Sequence, residues 1–398
     1  MSWKKKYEEN WGRLGMKSEW KMKKLSELAI IQTGPFGSQL HKEDYVKEGT
    51  PMVTVEHLGR KRFTEQNLPC VSDADRKRLE KYVLKFGDIV FSRVGSVDRC
   101  SFVSSEYEGW MFSGRCLRVR PCKILNSEYL YYYFQLEKIK QFVRNIATGA
   151  TMPSINTKFM GEIPIIVPPL DIQEKITRVL RILDEKIDLN LQINKNLYKQ
   201  MLFIFNNAKK TSSWKHHKLG DVLTFYDNLR KPLSSIQREK MAHIYPYYGA
   251  TSIVDYVEDY LFDGTYILIS EDGANVVDAL GHPLTQYTYG KFWVNNHAHV
   301  ARGSSGYSEA LIYAMLGTLN MQSIVTGAAQ PKINQANLRN FETVLPENEE
   351  AQVLSVILTP MLQQMLYYDQ ENERLSTLRD TLLPQLMSGE LDISAIDL

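Results

Sequence analysis

The sequence predicts an α+β chain: two pseudo-repeated mixed α/β domains joined by two long antiparallel helices that form a coiled-coil spacer. Three observations carry this. Apolar residues recur in steps of three or four at Ile172, Ile176, Val179, Leu183, Ile187, Leu197, Met201 and Ile204. The same steps return near the C-terminus at Leu354, Leu358, Met361, Met365, Tyr368, Leu375, Leu378, Leu382 and Leu386. Blocks of the first 168 residues also recur, in order, after residue 213.

The first stripe, from Leu170 to Phe205, would make a helix roughly 50 Å long with one apolar side, and such a helix needs a partner. The second stripe supplies one. Residues 169–213 carry 8 basic against 5 acidic side chains and residues 347–398 carry 2 against 10, so opposite charge favours pairing the two helices over self-pairing. Asn190 and Asn194 interrupt the first stripe and Asn372 the second, and buried Asn at such positions fixes register at a cost in stability. The competing arrangement is two amphipathic helices packed on separate domains. Pro360, with Thr359 as cap, either starts a new helix or kinks the second one.

At 398 residues the chain is long for one core, which sets two or three domains as the expectation. Its 43% hydrophobic and 24% charged content is that of a globular protein. No apolar run approaches the roughly 18 residues of a membrane span, and the N-terminus is too polar for a secretory signal, so a cytoplasmic location is expected. Cys70, Cys100, Cys116 and Cys122 show neither CxxC spacing nor a His at finger distance, which points to reduced structural thiols. The net charge of +2 conceals an asymmetry: residues 20–168 hold 23 basic against 16 acidic groups, and residues 214–346 hold 10 against 12. A polyanion met mainly by the first segment fits that balance, as does a merely solvated basic face.

The reading along the chain gives an N-terminal extension (1–19, with Met16 an alternative start), a first domain (20–168), a first helix (169–210), a second domain (211–346) and a second helix with its tail (347–398). β-like runs at Met52–Val55, Asp88–Ser92, Trp110–Phe112 and Cys116–Arg120 alternate with turns such as Thr33-Gly34-Pro35-Phe36-Gly37. A helix is expected from Ser127 to Ala147, with Tyr131, Tyr132 and Phe134 in the core rather than stacking on bases. Thr148-Gly149-Ala150 with Pro153, Ile155 and Asn156 returns 178 positions later as Thr326-Gly327-Ala328 with Pro331, Ile333 and Asn334. Trp20 returns as Trp214 at 194, and Gly87-Asp88-Ile89-Val90-Phe91 matches Gly264-Thr265-Tyr266-Ile267-Leu268 at 177. The falling offset places an insertion of about 18 residues between 55 and 87 of the first domain. It carries Arg60-Lys61-Arg62 and Arg76-Lys77-Arg78, either phosphate contacts or solvated turns.

Enzyme signatures are missing. No GxxxxGK[ST] or GxGxxG occurs, and the lone Glu-x-Lys, Glu19-Trp20-Lys21, has no Asp before it. Val167-Pro168-Pro169-Leu170 and Tyr245-Pro246-Tyr247-Tyr248 both miss the Asn/Asp-Pro-Pro-aromatic loop of an amino-methyltransferase. His297-Ala298-His299 places two imidazoles on one face of a strand, but two ligands without a third do not make a metal site.

The block TGATMPSIN…IPIIVPPLDIQEKI, its echo TGAAQPKINQANL…VLPENEEAQ and the tail LLPQLMSGEL resemble the specificity subunit of type I restriction-modification systems, from Trp20 to Leu391. The resemblance implies a non-catalytic chain whose two target-recognition domains each read one half of a bipartite double-stranded DNA target. It also implies helices that set the spacing and dock two methyltransferase subunits, which would use S-adenosylmethionine, and a motor-nuclease subunit that would use ATP and Mg²⁺. Loop residues suited to DNA contact are Arg60, Lys61, Arg62, Arg93, Ser96, Arg99 and Thr151 in the first domain. In the second they are Tyr248, Asp272, Asn275, Gln330 and Lys332. Two rival readings are a fused endonuclease-methyltransferase, which the missing motifs oppose, and a helical scaffold that does not read DNA.

Overall fold

The computed structural model describes residues 20–393 apart from 60, 150, 212 and 328, so the extension at 1–19 and its alternative start lie outside the described residues. Two compact units emerge, one of residues up to 186 together with those from 374, the other of residues 187–373. The division cuts through both long helices, which the sequence had set apart from the domains. The cause is that each domain core extends onto them. Ile176, Leu180, Leu383, Leu386 and Met387 belong to the core of the first unit, and Met201, Phe205, Leu354, Leu358 and Leu362 to that of the second.

In the first unit an antiparallel sheet runs in the order Ala29–Thr33, Cys116–Pro121, Ile89–Ser92, Cys100–Phe102. Ile89–Ser92 is buried along its whole length, so its alternating side chains separate two cores. Ile89 and Phe91 face one that holds the helices, and Val90 faces another with Met52, Tyr82 and Phe112. A second sheet pairs Thr50–Val53 in parallel with Met111–Phe112. Lys21–Lys24 closes the domain by pairing with Pro164–Val167, just ahead of the long helix.

The second unit repeats this plan. Its sheet runs Leu223–Phe225, Ala298–Gly303, Tyr266–Ser270, Thr285–Thr288, Tyr247 pairs in parallel with Trp293, and Lys215–Lys218 closes on Glu342–Leu345. Ile267 and Ile269 face the core with the helices, and Leu268 the other. The structural match is therefore Ile89 with Ile267 and Val90 with Leu268, one residue away from the match at 177 read from the sequence. A one-residue slip would turn every side chain to the wrong core.

The helix expected from Ser127 to Ala147 is two, Ser127–Gln135 and Glu137–Ile146, because Leu136 leaves helical geometry (φ −57°, ψ 127°). Its aromatic residues are core, as expected: Tyr129 and Tyr133 donate their hydroxyls to the carbonyls of Ile166 and Pro164 at 2.9 and 3.0 Å. The thiols of Cys100 and Cys116 are free, and burial pushes both up to about 12, which leaves them inert.

The long helices span Leu170–Thr211 and Asn348–Ser388. The second continues through Pro360. The carbonyl that loses its partner there belongs to Val356, which is 73% exposed, so water can take the bond. Leu378, expected in the apolar stripe, is 47% exposed. The two helices run antiparallel. In the first unit Arg379 donates to Asp184 at 2.9 Å. In the second, Asn190 donates to Asn372 and Glu371 at 2.9 and 2.7 Å, and Asn194 to Asp369 at 2.7 Å. Asn190 and Asn372, which interrupt the two stripes, thus meet each other as a register-fixing pair should, while Asn194 bonds Asp369 instead. Among the described residues no helix is long and apolar enough to cross a membrane.

Candidate nucleic-acid interface

The repeated Thr-Gly-Ala block builds the same hairpin twice. In the first unit Thr148 and Ser154 exchange backbone hydrogen bonds at 2.9 and 2.8 Å, and in the second Thr326 and Lys332 do so at 2.8 Å each. The glycine is needed at φ +105° in Gly149 and +84° in Gly327, and a side chain there would strike the carbonyl of Met152 or Gln330. Ile155 and Ile333 bury the hairpin's base. Asn156 and Asn334 then cap the next helix, accepting from the amides of Phe159 and Asn337 at 2.9 and 2.8 Å. The threonine, glycine, isoleucine and asparagine of the motif thus each have a structural duty.

The hairpin docks on the end of the central strand. Ile155 donates its amide to the carbonyl of Arg93, and Gly95 to that of Pro153. Arg93 is half-buried; its guanidinium donates to the carbonyl of Gly114 at 3.2 Å and lies over the ring of Phe36 at 5.8 Å. No acidic side chain pairs with it among the described residues, so its charge is held in place and left available. Ser96 and Thr151 are exposed beside it, as are Met152 (66%) and Phe36 (61%). Residue type did not single out Phe36 or Met152. The signal was present in the turn Thr33-Gly34-Pro35-Phe36-Gly37 and in the hairpin tip.

The remaining candidates of the first unit are placed differently. Lys61 pairs with Glu128 at 3.1 Å and donates to the Tyr132 hydroxyl, which itself donates to Asp184 at 2.6 Å. Arg62 pairs with Glu106 at the surface. Arg99 donates to the carbonyl of Leu58 and lies against Gly59. Arg60 lies outside the described residues.

In the second unit Glu271 stands where Arg93 stands, accepting the amide of Ile333 at 2.8 Å. It belongs to a partly buried cluster. Arg230 donates to Glu271 at 2.7 Å, and Lys332 pairs with Glu271 at 3.0 Å. His299, almost fully buried, has Nδ1 2.6 Å from Asp227 and Nε2 2.8 Å from the carbonyl of Ile333. Both neighbours are acceptors, and the ring is held between them. Burial alone would raise Asp227, but the hydrogen bond and charge of His299, the amide of Val300 and Arg230 hold its carboxyl below the usual range. Asp227, Glu271 and His299 lie within 4.8 Å of one another. With both imidazole nitrogens engaged and two cations on the carboxylates, this is an ion-pair cluster without a free ligand set for a metal. His297, outside the strand, pairs instead with Asp272 at 2.5 Å. Asn275 and Gln330 are exposed near the hairpin, whereas Tyr248 packs its ring on Phe292 at 5.7 Å.

Two domains of one plan, each offering a hairpin against a strand end but with different side chains there, define a duplicated recognition protein. Family comparison says which kind. A model described as "Type I restriction modification DNA specificity domain" matches residues 17–199 and again 211–376, so the chain belongs to that family. It is a type I restriction-modification specificity subunit with two DNA-recognition domains. The type I restriction enzyme MjaIX specificity subunit of Methanocaldococcus jannaschii is 22% identical over 95% of both chains. A putative type I restriction enzyme specificity subunit of Haemophilus influenzae is 35% identical, the match covering 33% of each chain. The crystal structure of a type I restriction-modification S subunit from M. genitalium shares the fold with a TM-score of 0.56 at 17% identity, over 94% of this chain and 98% of that one.

Proposed function

We propose that each domain reads one half of a bipartite double-stranded DNA target, that the paired helices set the unread gap, and that the chain itself catalyses nothing. The observation that carries this is the single hairpin-and-strand frame presented twice with unlike residues, Arg93 in one and Glu271 in the other. Fixed frames with variable tips are how one fold serves different sequences. The helices dock two methyltransferase subunits, because a repeated plan offers two similar sites. S-adenosylmethionine belongs to those partners, and ATP and Mg²⁺ to a motor-nuclease subunit. Incubated with DNA and labelled S-adenosylmethionine, the purified chain is expected to transfer no methyl group until the methyltransferase is added. The modified adenines mapped in a host carrying the whole system should then flank one fixed gap. Transfer by the chain alone, or modification without a fixed two-part sequence, refutes the reading.

A further inference from the structure

The insertion that distinguishes the first domain from the second forms one wall of a groove of about 720 Å³, away from the hairpin. Arg76, Lys77, Lys81 and Lys85 line it together with Arg120. Arg120 is committed to buried Asp88 through two bonds of 2.6 Å. The other four are exposed and pair with no carboxylate among the described residues, while Asp73 and Glu80 supply the lining's only negative charge. Cations crowded in a concave surface raise the local potential and attract a polyanion.

Resting on the reading of function above, we infer that this groove holds the phosphate backbone of duplex DNA beside the half-site read by the first domain. The lining favours phosphate over an acidic protein surface: Val83 is its one apolar member, it has no aromatic residue, and three of its four unpaired cations are lysine. Protein interfaces are rich in aromatic side chains and poor in lysine, whereas phosphate contacts need only point charges at the right spacing. Its place in the fold agrees. Asp88, the anchor of Arg120, and Arg93 bound opposite ends of the strand Ile89–Ser92, roughly 17 Å apart at strand rise. A backbone bordering a major groove about 12 Å wide passes within that distance of a side chain that enters the groove.

The test titrates the chain with its methyltransferase partner against two short duplexes over a series of salt concentrations. One duplex carries the target found by adenine mapping and the other has it scrambled. Lys77→Ala with Lys81→Ala should weaken both duplexes by about the same factor, about tenfold, and lessen the salt slope by about 2, leaving the preference for target unchanged. Lys77→Arg with Lys81→Arg, which keeps the charge, should bind as the wild type does. Unchanged affinity in the alanine pair, loss confined to the target duplex, or equal loss in the arginine pair would each overturn the proposal. A wild-type complex that does not distinguish target from scrambled DNA would overturn the functional reading instead, and the variants' loss on both duplexes would still decide the groove.

Discussion

Arg93 and Glu271 hold one position in two domains: the backbone carbonyl of each accepts the amide of the hairpin isoleucine, Ile155 or Ile333, and both pairs lie 178 residues apart (271 minus 93, 333 minus 155). The frame is common and the side chains differ in sign. Among the described residues Arg93 pairs with no carboxylate, whereas Glu271 spends its charge on Arg230 and Lys332. The first domain therefore presents a cation at its strand end, whereas the second has exposed amide side chains, Asn275 and Gln330, in the same region.

Arg93→Ala should relax preference at a single base position and cost roughly 1–3 kcal/mol in binding the true target. Affinities of the complex for the target and its single-base variants test this; undiminished discrimination at every position would remove Arg93 from the readers.

Lys61 is expected to behave differently, because its ammonium is tied to Glu128 and Tyr132. Lys61→Ala should lower stability by about 1–2 kcal/mol, since Arg181 still covers Glu128, and should leave base preference intact. Relaxed preference without loss of stability would reverse the assignment.

The ion-pair cluster of the second unit sets an acid limit on its stability. Asp227 is held below its ordinary 3.8 and Glu271 below its ordinary 4.5, in each case against the opposing effect of burial. Depressed folded values mean that this contribution is complete above the unfolded values and is lost as pH falls below 4.5 and through the folded ones. Asp227→Ala strands His299 and the amide of Val300, so it should cost about 3–5 kcal/mol near neutral pH and flatten the acid limb. Unfolding midpoints measured from pH 7 to pH 3 would show a parallel acid limb in the variant if the cluster were unimportant.

The Asn layer between the helices is predicted to exchange stability for register. Asn190 is fully buried with an unpartnered carbonyl oxygen, and the amide nitrogen of Asn372 also lacks a partner. Replacing both by Leu should raise the unfolding midpoint by about 2–4 °C for each kcal/mol gained and blur the gap between modified adenines. A lowered midpoint with an unchanged gap would show that the layer does neither.

Much of this was legible in the residues. The hairpin motif could be read because glycine, isoleucine and asparagine each answer a backbone demand that repeats. The helices could be read from their period, and their pairing from the two stripes and their opposite charge. The break at Leu136 could not be, because an apolar residue suits both a continuous helix and a buried turn. Lys61 and Arg93 look alike in a sequence, and only the position of Glu128, 67 residues beyond Lys61 (128 minus 61), tells the tied cation from the available one. The cluster around His299 escaped notice because Asp227 and Glu271 reach it from other strands and loops.

The division of the chain also orders events in time. Residues 187–373 form one unbroken unit, but the core of the other, which contains Trp20 and Leu25, also contains Leu383, Leu386, Met387 and Ile393. At a synthesis rate of about 5–20 residues per second, the second unit has its whole sequence while the first still waits for residues 374–393. The domain made first is thus the last to close, and for that interval its apolar face is what a nascent-chain chaperone would meet.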